Sequence, residues 1–306
     1  MTNKIQEANL AMVVSKTFSG LNVNALRYLL PLWIAPLTGV TFRCVFAAVA
    51  FWIIGYWAKP ETASVKDKIY LFLLGAVGIY GYMFSYLMGL SKTTPVSAAI
   101  FTSMQPIWVF ILSVFFFNEK ATVMKIVGIL VGLGGALLCI STQKSDDLAS
   151  DAFSGNLFCL VSSVIYAVYL ILSNRFLKRT GPYTLMRYTF SGAAVSSLIV
   201  MAFVGYEASL TTPPPIALLL FVLIFPTVIS YLLIPTGLKY LSTTVVAIYG
   251  YLILVVASIV SFLVGQDRFS WEQLGAMLLI CVGVYWVEIA ENNGRERKRP
   301  HSPSIT

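Results

Sequence analysis

The amino-acid sequence predicts an all-α membrane protein: ten transmembrane helices arranged as two inverted five-helix repeats around a central cavity. Three observations support this fold class. The 306 residues are 58% hydrophobic and only 11% charged, with a mean hydropathy of +0.82, which lies outside the range of soluble domains. Apolar stretches of about 20 residues follow one another with short breaks, as transmembrane helices do. The second half of the chain also repeats features of the first half.

The apolar stretches define ten spans, and no polar stretch between them is long enough to fold separately. They cover approximately residues 8–30, 33–57, 68–90, 94–117, 122–141, 154–177, 182–205, 214–238, 243–264 and 271–289. Because the loops are short, neighbouring helices must be antiparallel. We expect a first five-helix repeat at 1–141, an outer linker at 142–153, a second five-helix repeat at 154–290 and a basic cytoplasmic tail at 291–306.

The basic residues lie mainly on alternate loops and predict the orientation. The ends that include both termini hold most of them: Lys4; Lys59, Lys66 and Lys68; Lys120 and Lys125; Arg175, Lys178 and Arg179; Lys239; and Arg295, Arg297, Lys298 and Arg299. The opposite ends hold Arg27, Lys92, Lys144 and Arg268. Both termini are therefore predicted to be cytoplasmic in a multi-pass protein of the cytoplasmic (inner) membrane. The net charge of +8 then reflects topology in a lipid bilayer, and we expect no nucleic-acid partner.

The internal duplication has an offset of about 147 residues, since Asn9-Leu10 recurs as Asn156-Leu157. Arg43 follows Pro36 in the second span much as Arg187 follows Pro182 in the seventh. Five helices per repeat is an odd number, so the second copy enters the membrane from the opposite side. Inverted repeats are typical of secondary transporters, whose substrate site lies near the membrane midplane between the halves.

These motifs resemble the drug/metabolite transporter superfamily, and in particular its EamA-type ten-helix members, over about residues 8–290. The resemblance is carried by Arg43, the Pro106…Asn118-Glu119 run, the Gly128…Gly135 pattern, the run from Gly237 to Thr243 and the Gly275…Gly283 pattern. It implies two halves around a central cavity, alternating access, and transport of small molecules, often export of amino acids or metabolites. The chain departs from the family at Lys16, where an aromatic or small residue is usual, and it lacks a second-half counterpart of Pro106.

Lys16 lies inside the first apolar span, where an ammonium group is costly unless it faces a cavity or a partner. Ser15, Ser19 and Asn22 form a polar stripe on one face of this helix, with Lys16 at its edge. We expect these four residues to bind substrate. The alternatives are that the hydroxyl and amide groups join packed helices, and that Lys16 extends its ammonium to the membrane surface.

Further candidate substrate-binding residues are polar or aromatic positions on other spans. In the sixth span, Tyr166 and Tyr169 follow Ser162 on the face that corresponds to the polar stripe of the first span. Tyr82 and Tyr86 share a face of the third span, and Gln105 lies in the fourth. Tyr231, Tyr249 and Tyr251 could also line the cavity, whereas most of the 16 tyrosines are expected in the core or the interfacial belt.

Arg43 and Arg187 occupy repeat-related positions, each within the first half of its helix. Their guanidinium groups could bind an anion such as a carboxylate. The alternative is a structural pair that donates hydrogen bonds to loop carbonyls and helix ends. The family keeps the first of these arginines across many substrates, which favours the structural interpretation.

Prolines inside spans predict breaks that could act in gating. Pro106 frees the carbonyl of Thr102 in the fourth span, which permits either a simple kink or a ligand contact. Pro226 and Pro235 give the eighth span two potential bends. We therefore expect the fourth and eighth helices to be the gating elements.

Some residue types are absent from the spans, and their absence argues against certain functions. All thirteen acidic residues fall in loops, the tail or helix ends, so the proton-relay acid of a cation pump is absent from the spans. The single histidine, His301, lies in the tail, and the four cysteines show no paired spacing, so no metal or cofactor is expected. Glu119 and Asp267 are interpreted as helix caps or loop partners.

The sequence therefore predicts a secondary transporter, not an enzyme, that exports a small zwitterionic or anionic metabolite such as an amino acid. An exchanger of phosphorylated or carboxylated metabolites is the alternative. A membrane-embedded enzyme would require a constellation such as Ser15-Lys16, but these neighbours do not share a helix face. A channel or sensor is disfavoured by the inverted duplication. The partners expected are a small-molecule substrate, the lipid bilayer, and a proton or counter-substrate, in a monomer or a homodimer.

Overall fold

The computed structural model describes residues 2–30, 32–58, 61–117, 122–142, 151–241 and 243–296. These residues form ten helices, and four of the helices are built from two or three stretches. In chain order they are α1 (Thr2–Leu29), α2 (Pro36–Trp57), α3 (Val65–Leu74, Gly75–Ile79 and Tyr80–Lys92), α4 (Pro95–Thr102 and Gln105–Phe117), α5 (Val123–Thr142), α6 (Ala152–Thr180), α7 (Pro182–Val204), α8 (Pro213–Val222, Leu223–Ile229 and Ser230–Tyr240), α9 (Thr243–Ile248 and Gly250–Leu263) and α10 (Trp271–Glu296).

The all-α fold and its ten predicted helices are confirmed. In the described part of the chain, seven helices are long and apolar enough to cross a membrane: α2, α3, α4, α6, α7, α8 and α9. The helices α5 and α10 contain shorter apolar stretches, and α1, which carries Lys16, is not among the seven. The one β-bridge in the described ranges joins Ile34 to Ala208 and ties the α1–α2 connection to the α7–α8 connection.

Local sequence sets many of the helix ends. Prolines begin α2, α7 and α8, where the missing N–H would have no helical partner. Thr94 caps α4 by accepting a hydrogen bond from the backbone N–H of Ser97. Gly181 (φ 83°) ends α6 with a backbone conformation that other residues rarely adopt.

The interruptions inside the helices occur in pairs related by the duplication. The α-helical pattern of α4 breaks at Ser103–Met104, and that of α9 breaks at Tyr249. A π-helical stretch interrupts α3 at Gly75–Ile79, and another interrupts α8 at Leu223–Ile229. The breaks expected in α4 and α8 are present, while those in α3 and α9 occur without any proline and were not predicted.

Pro226 lies inside the π-helical stretch of α8, as the prediction of a bend there requires. Pro235 lies inside Ser230–Tyr240, which stays α-helical throughout. Of the two potential bends in α8, only the one at Pro226 therefore coincides with a change of helix type.

Helix packing also reflects the duplication of the chain. The helix α1 packs against α8 and α9, and its counterpart α6 packs against α3 and α4. The helices α2 and α7 pack on each other, as do α5 and α10. Each of these contacts is recovered when the first five helices are exchanged with the last five, as two inverted repeats require.

Glycines allow α3 to approach two different helices closely. In its first half, Gly75 lies against the backbone of Thr189 in α7, and Gly192 of α7 lies against the backbone of Phe72. In its second half, Gly89 lies against the backbone of Gly155 in α6. A side chain at any of these glycines would collide with backbone atoms, so α3 contacts α7 at one end and α6 at the other.

Candidate functional site

A central cavity lies among α1, α2, α3, α4, α6, α8 and α9. It contains about 510 Å³ of space not filled by protein atoms, part of it open to the surroundings. Most of its lining is polar or aromatic: Lys16, Ser19, Asn22, Arg43, Tyr82, Tyr86, Thr102, Gln105, Tyr166, Ser230 and Tyr231, with Val23, Pro226, Ile234 and Ile253 completing it. No carboxylate occurs among these described lining residues.

The structure brings together seven of the nine side chains that the sequence proposed for substrate binding. They come from four helices: Lys16, Ser19 and Asn22 from α1, Tyr82 and Tyr86 from α3, Gln105 from α4, and Tyr166 from α6. Their convergence supports the proposed site, and substrate binding itself stays a prediction.

Ser15 does not line the cavity. Its hydroxyl donates a hydrogen bond to the carbonyl of Ser230 at 3.2 Å, and the hydroxyl of Ser230 donates to the carbonyl of Ser15 at 3.1 Å. This reciprocal pair joins α1 to α8. Ser15 therefore has the interhelical role that was the alternative to substrate binding for the polar stripe of α1.

Tyr169 also lies outside the cavity, although it is almost fully buried. Its ring packs beside that of Tyr166, with centroids 5.9 Å apart, and it contacts the backbone region of Gly78. Tyr169 therefore packs beside the cavity-lining ring of Tyr166 without lining the cavity itself.

Lys16 is 3% exposed and makes no hydrogen bond or ion pair within the described ranges. Its ammonium nitrogen lies 5.8 Å from the centroid of the Tyr166 ring. The π face of a tyrosine attracts a cation but does not neutralise its charge. Because the ammonium is buried, extension of Lys16 to the membrane surface does not describe this structure.

Arg43 is the second buried cation of the cavity, with an exposed fraction of 2%. Its Nε donates a hydrogen bond to the hydroxyl of Thr227 at 3.0 Å, and this hydroxyl donates to the carbonyl of Val222 at 2.7 Å. Its Nη1 is buried without a protein partner in the described part of the chain. Arg43 thus links α2 to the π-helical stretch of α8 and keeps one donor available.

Arg187, the repeat counterpart of Arg43, lies away from the cavity. Its Nη2 donates to the carbonyl of Gly55 at 2.7 Å, and its guanidinium lies 5.4 Å from the Trp52 ring centroid. The structural interpretation therefore fits Arg187, whereas Arg43 shares the cavity with Lys16. The sequence treated the two arginines as an equivalent pair, and the structure separates them.

Tyrosine rings form one wall of the cavity. Tyr82 stacks on Tyr86 with centroids 6.0 Å apart and lies 4.7 Å from Tyr166. Tyr231, from α8, faces the same space. Tyr249 instead donates a hydrogen bond from its hydroxyl to the side chain of Asn9 at 3.0 Å.

Two amide oxygens of the lining are buried without a protein partner in the described ranges, Oδ1 of Asn22 and Oε1 of Gln105. Gln105 owes its position to the α4 break, since it is the first residue after it. With Nη1 of Arg43, the cavity holds both donors and acceptors that no protein group satisfies. Buried polar groups normally have partners, so this set indicates a place for a polar ligand or water.

Sequence reasoning missed Thr102 and Ser230 as lining residues. For Thr102, the sequence predicts only a backbone carbonyl that Pro106 frees. Ser230 follows Pro226 by one helical turn, so it lies on the same face of α8, and this spacing was a usable signal.

The turn between α9 and α10 contains Asp267, for which the sequence predicts a role as a helix cap or a loop partner. Its carboxylate accepts hydrogen bonds from the backbone N–H of Val96 in α4 at 3.2 Å and from that of Arg268 at 3.0 Å. Burial raises the pKa of this carboxyl. Glu119, Asp146, Asp147 and the basic tail after Glu296 lie outside the described residues.

The chain is similar to known membrane transporters. The model of the EamA-like transporter family matches it twice, at residues 6–141 and 153–289. An uncharacterized transporter of Bacillus subtilis (strain 168), YyaM, is 27% identical over 268 residues, which cover 86% of this chain and 88% of that protein. The aromatic amino acid exporter YddG of Ancylobacter novellus is 26% identical over 130 residues, covering 42% and 45%.

A solved crystal structure has the same fold, with a TM-score of 0.64 and 18% sequence identity. The superposition covers 98% of this chain and 100% of that one. At this level of identity the likeness concerns the fold alone.

The cavity wall predicts different reactivity for two neighbouring serines of α1. In Ser19→Cys the thiol replaces a group that lines the cavity, whereas in Ser15→Cys it replaces one that is sealed between α1 and α8. We expect methyl methanethiosulfonate to modify the first variant faster than the second, measured by mass spectrometry of the purified protein. The unsubstituted chain, with its own cysteines, gives the background, and equal rates for the two variants would contradict this cavity geometry.

Proposed function

The chain belongs to the EamA-like transporter family, and from that premise we propose that it exports a small zwitterionic or anionic metabolite across the cytoplasmic membrane by alternating access. The central cavity is its substrate site in this proposal. The protein is a multi-pass membrane transporter and not an enzyme, as its family and its relatives indicate.

One observation carries the proposal: two buried cations, Lys16 and Arg43, share a cavity whose described lining contains no carboxylate. Removing a charge from water costs several kcal/mol unless a partner compensates for it. A negative group of the substrate would supply that partner. The same two charges would repel a cationic drug, so export of lipophilic cations fits the cavity poorly.

The remaining lining suits a substrate with an aromatic part and an ammonium group. Tyr82, Tyr86, Tyr166 and Tyr231 offer ring surfaces, and the free oxygens of Asn22 and Gln105 could accept hydrogen bonds. The relative from Ancylobacter novellus is named an aromatic amino acid exporter. We therefore take an aromatic amino acid as the first candidate substrate.

The second candidate is exchange of phosphorylated or carboxylated metabolites. The pair of cations favours it, because a dianion could satisfy both Lys16 and Arg43. The tyrosine wall and the unpartnered amide oxygens favour the zwitterion instead.

The paired helix breaks suggest how the cavity alternates between the two membrane faces. Arg43 is bonded to Thr227 in the π-helical stretch of α8, so an anion that attracts the guanidinium also acts on this stretch. In our proposal α8 and α4 move as gates, together with their repeat counterparts α3 and α9.

We predict that Lys16→Gln and Arg43→Gln each weaken substrate binding by on the order of a hundredfold, because the substrate loses a buried charge partner. Arg187→Gln is the matched control, since this arginine contacts Gly55 and Trp52 and not the cavity. Transport in proteoliposomes is compared at equal amounts of folded protein. If Lys16→Gln transports normally, Lys16 does not bind substrate.

Counterflow into proteoliposomes distinguishes the substrate classes. We expect labelled phenylalanine, tyrosine or tryptophan to accumulate against an unlabelled internal pool, and leucine or arginine to accumulate less. Preferential counterflow of phosphate esters or dicarboxylates would instead support the exchanger.

Collapsing the proton gradient tests whether transport is coupled to protons. Loss of uphill flux indicates coupling to a proton, and persistent flux indicates exchange or facilitated diffusion.

The orientation proposed from the basic loops places both termini in the cytoplasm. We expect a cysteine at position 146 to be labelled by an impermeant maleimide on intact cells, and a cysteine at position 298 to be labelled only after permeabilisation. The reverse pattern would invert the topology and, with it, the face from which substrate enters.

A further inference from the structure

A second, larger groove lies on the outside of the helix bundle, between α3 and α6. It contains about 1680 Å³ of space not filled by protein atoms, including space open to the surroundings. It is separate from the central cavity: Val164 and Val168 of α6 face the groove, while Tyr166 of the same helix lines the cavity. Nothing in the proposed transport cycle uses this groove.

The groove exists because α3 diverges from α6. At its second half, α3 is held against α6 by the close approach of Gly89 and Gly155. At its first half, α3 is held against α7 by Gly75 and Gly192. The π-helical stretch Gly75–Ile79 lies at the change of partner, so the first half of α3 leaves the surface of α6 uncovered.

The lining changes from charged to apolar along the groove. At one end are Lys66, Asp67, Arg175 and Arg179, close to the N-terminus of α3 and the C-terminus of α6. Farther along lie Leu73, Val77, Val164 and Val168. Lys66 and Val77 are about 16 Å apart along a helix axis, roughly half of the hydrocarbon core of a bilayer. The groove therefore matches the depth and the polarity of one membrane leaflet.

The charged end has an excess of positive charge. Asp67 is the one acidic residue among the described lining residues, and it forms an ion pair with Arg179 at 3.1 Å. Lys66 and Arg175 are exposed and make no hydrogen bond or ion pair within the described part of the chain. Two basic side chains thus remain available above an apolar channel.

We propose that this groove binds one anionic phospholipid. Its phosphate and headgroup interact with Lys66 and Arg175, and an acyl chain lies along Leu73, Val77, Val164 and Val168. Charge complementarity selects an anionic lipid, because basic side chains near a membrane surface attract such headgroups. A bound acyl chain would fill the space between the first half of α3 and α6.

Native mass spectrometry of the purified full-length chain tests this proposal, with dioleoyl phosphatidylglycerol as the probe and dioleoyl phosphatidylcholine as the uncharged comparison. We expect tighter retention of one phosphatidylglycerol. The double variant Lys66→Gln/Arg175→Gln should bind it about twenty-fivefold more weakly, at about fivefold for each lost charge. The matched control Lys178→Gln/Lys239→Gln removes two charges from the same membrane face, outside the groove, and should bind as the unsubstituted chain does.

A second variant tests the apolar part. Val168→Trp fills the channel and should weaken phosphatidylglycerol binding while the thermal unfolding temperature stays near that of the unsubstituted chain. Equal binding by the Lys66/Arg175 variant and its control would overturn the proposal. Displacement of the lipid by inorganic phosphate, with Val168→Trp binding normally, would also overturn it, since this would indicate a simple anion site.

Discussion

The buried positive charge of the central cavity is the constraint on which the rest of the site depends. Lys16 and Arg43 are almost wholly removed from solvent, and neither has a carboxylate partner among the described residues. The protein compensates only in part: a tyrosine ring faces Lys16, and the hydroxyl of Thr227 accepts one bond from Arg43. The two buried charges therefore lack a counter-charge from the protein, and a negative group in the cavity would supply one. In the proposed function, this charge sets the class of substrate, and the shape of the cavity selects among the members of that class.

The two halves of the protein share a fold but differ in chemistry. The counterpart of Lys16 in α6 is Ser163, whose hydroxyl accepts a hydrogen bond from the indole of Trp108 at 2.9 Å. The counterpart of Arg43 is Arg187, which is used against Gly55 and Trp52. Both cations of the cavity therefore come from the first half. The duplication gives the ten helices a symmetric arrangement, and the side chains make the central cavity asymmetric.

The helix interruptions are conserved between the halves in position but not in residue type. Pro106 and Pro226 lie at the breaks of α4 and α8, while the corresponding breaks in α9 and α3 contain no proline. The stretch in α3 instead contains Gly75 and Gly78, and Gly250 directly follows the break in α9, so glycine accompanies the two breaks that lack a proline. One of these interruptions also shapes the outside of the bundle, since the π-helical stretch of α3 lies where this helix changes partner and the groove between α3 and α6 opens. The central cavity and the groove each lie beside a π-helical stretch, that of α8 and that of α3 respectively.

The sequence by itself determined the ten helices, the duplication and most of the cavity. The lengths of the apolar stretches and the positions of glycine and proline are local signals that predict helices. Residues three or four positions apart on a helix share a face, so Lys16, Ser19 and Asn22 could be placed together from their spacing alone. Only the tertiary structure decided between residues that look equivalent in the chain. Ser15 is one position from Lys16 but meets Ser230 of α8, and Arg187 matches Arg43 but points to another neighbour. Which helix covers a given face depends on contacts between residues more than a hundred positions apart, and local spacing carries no information about those contacts.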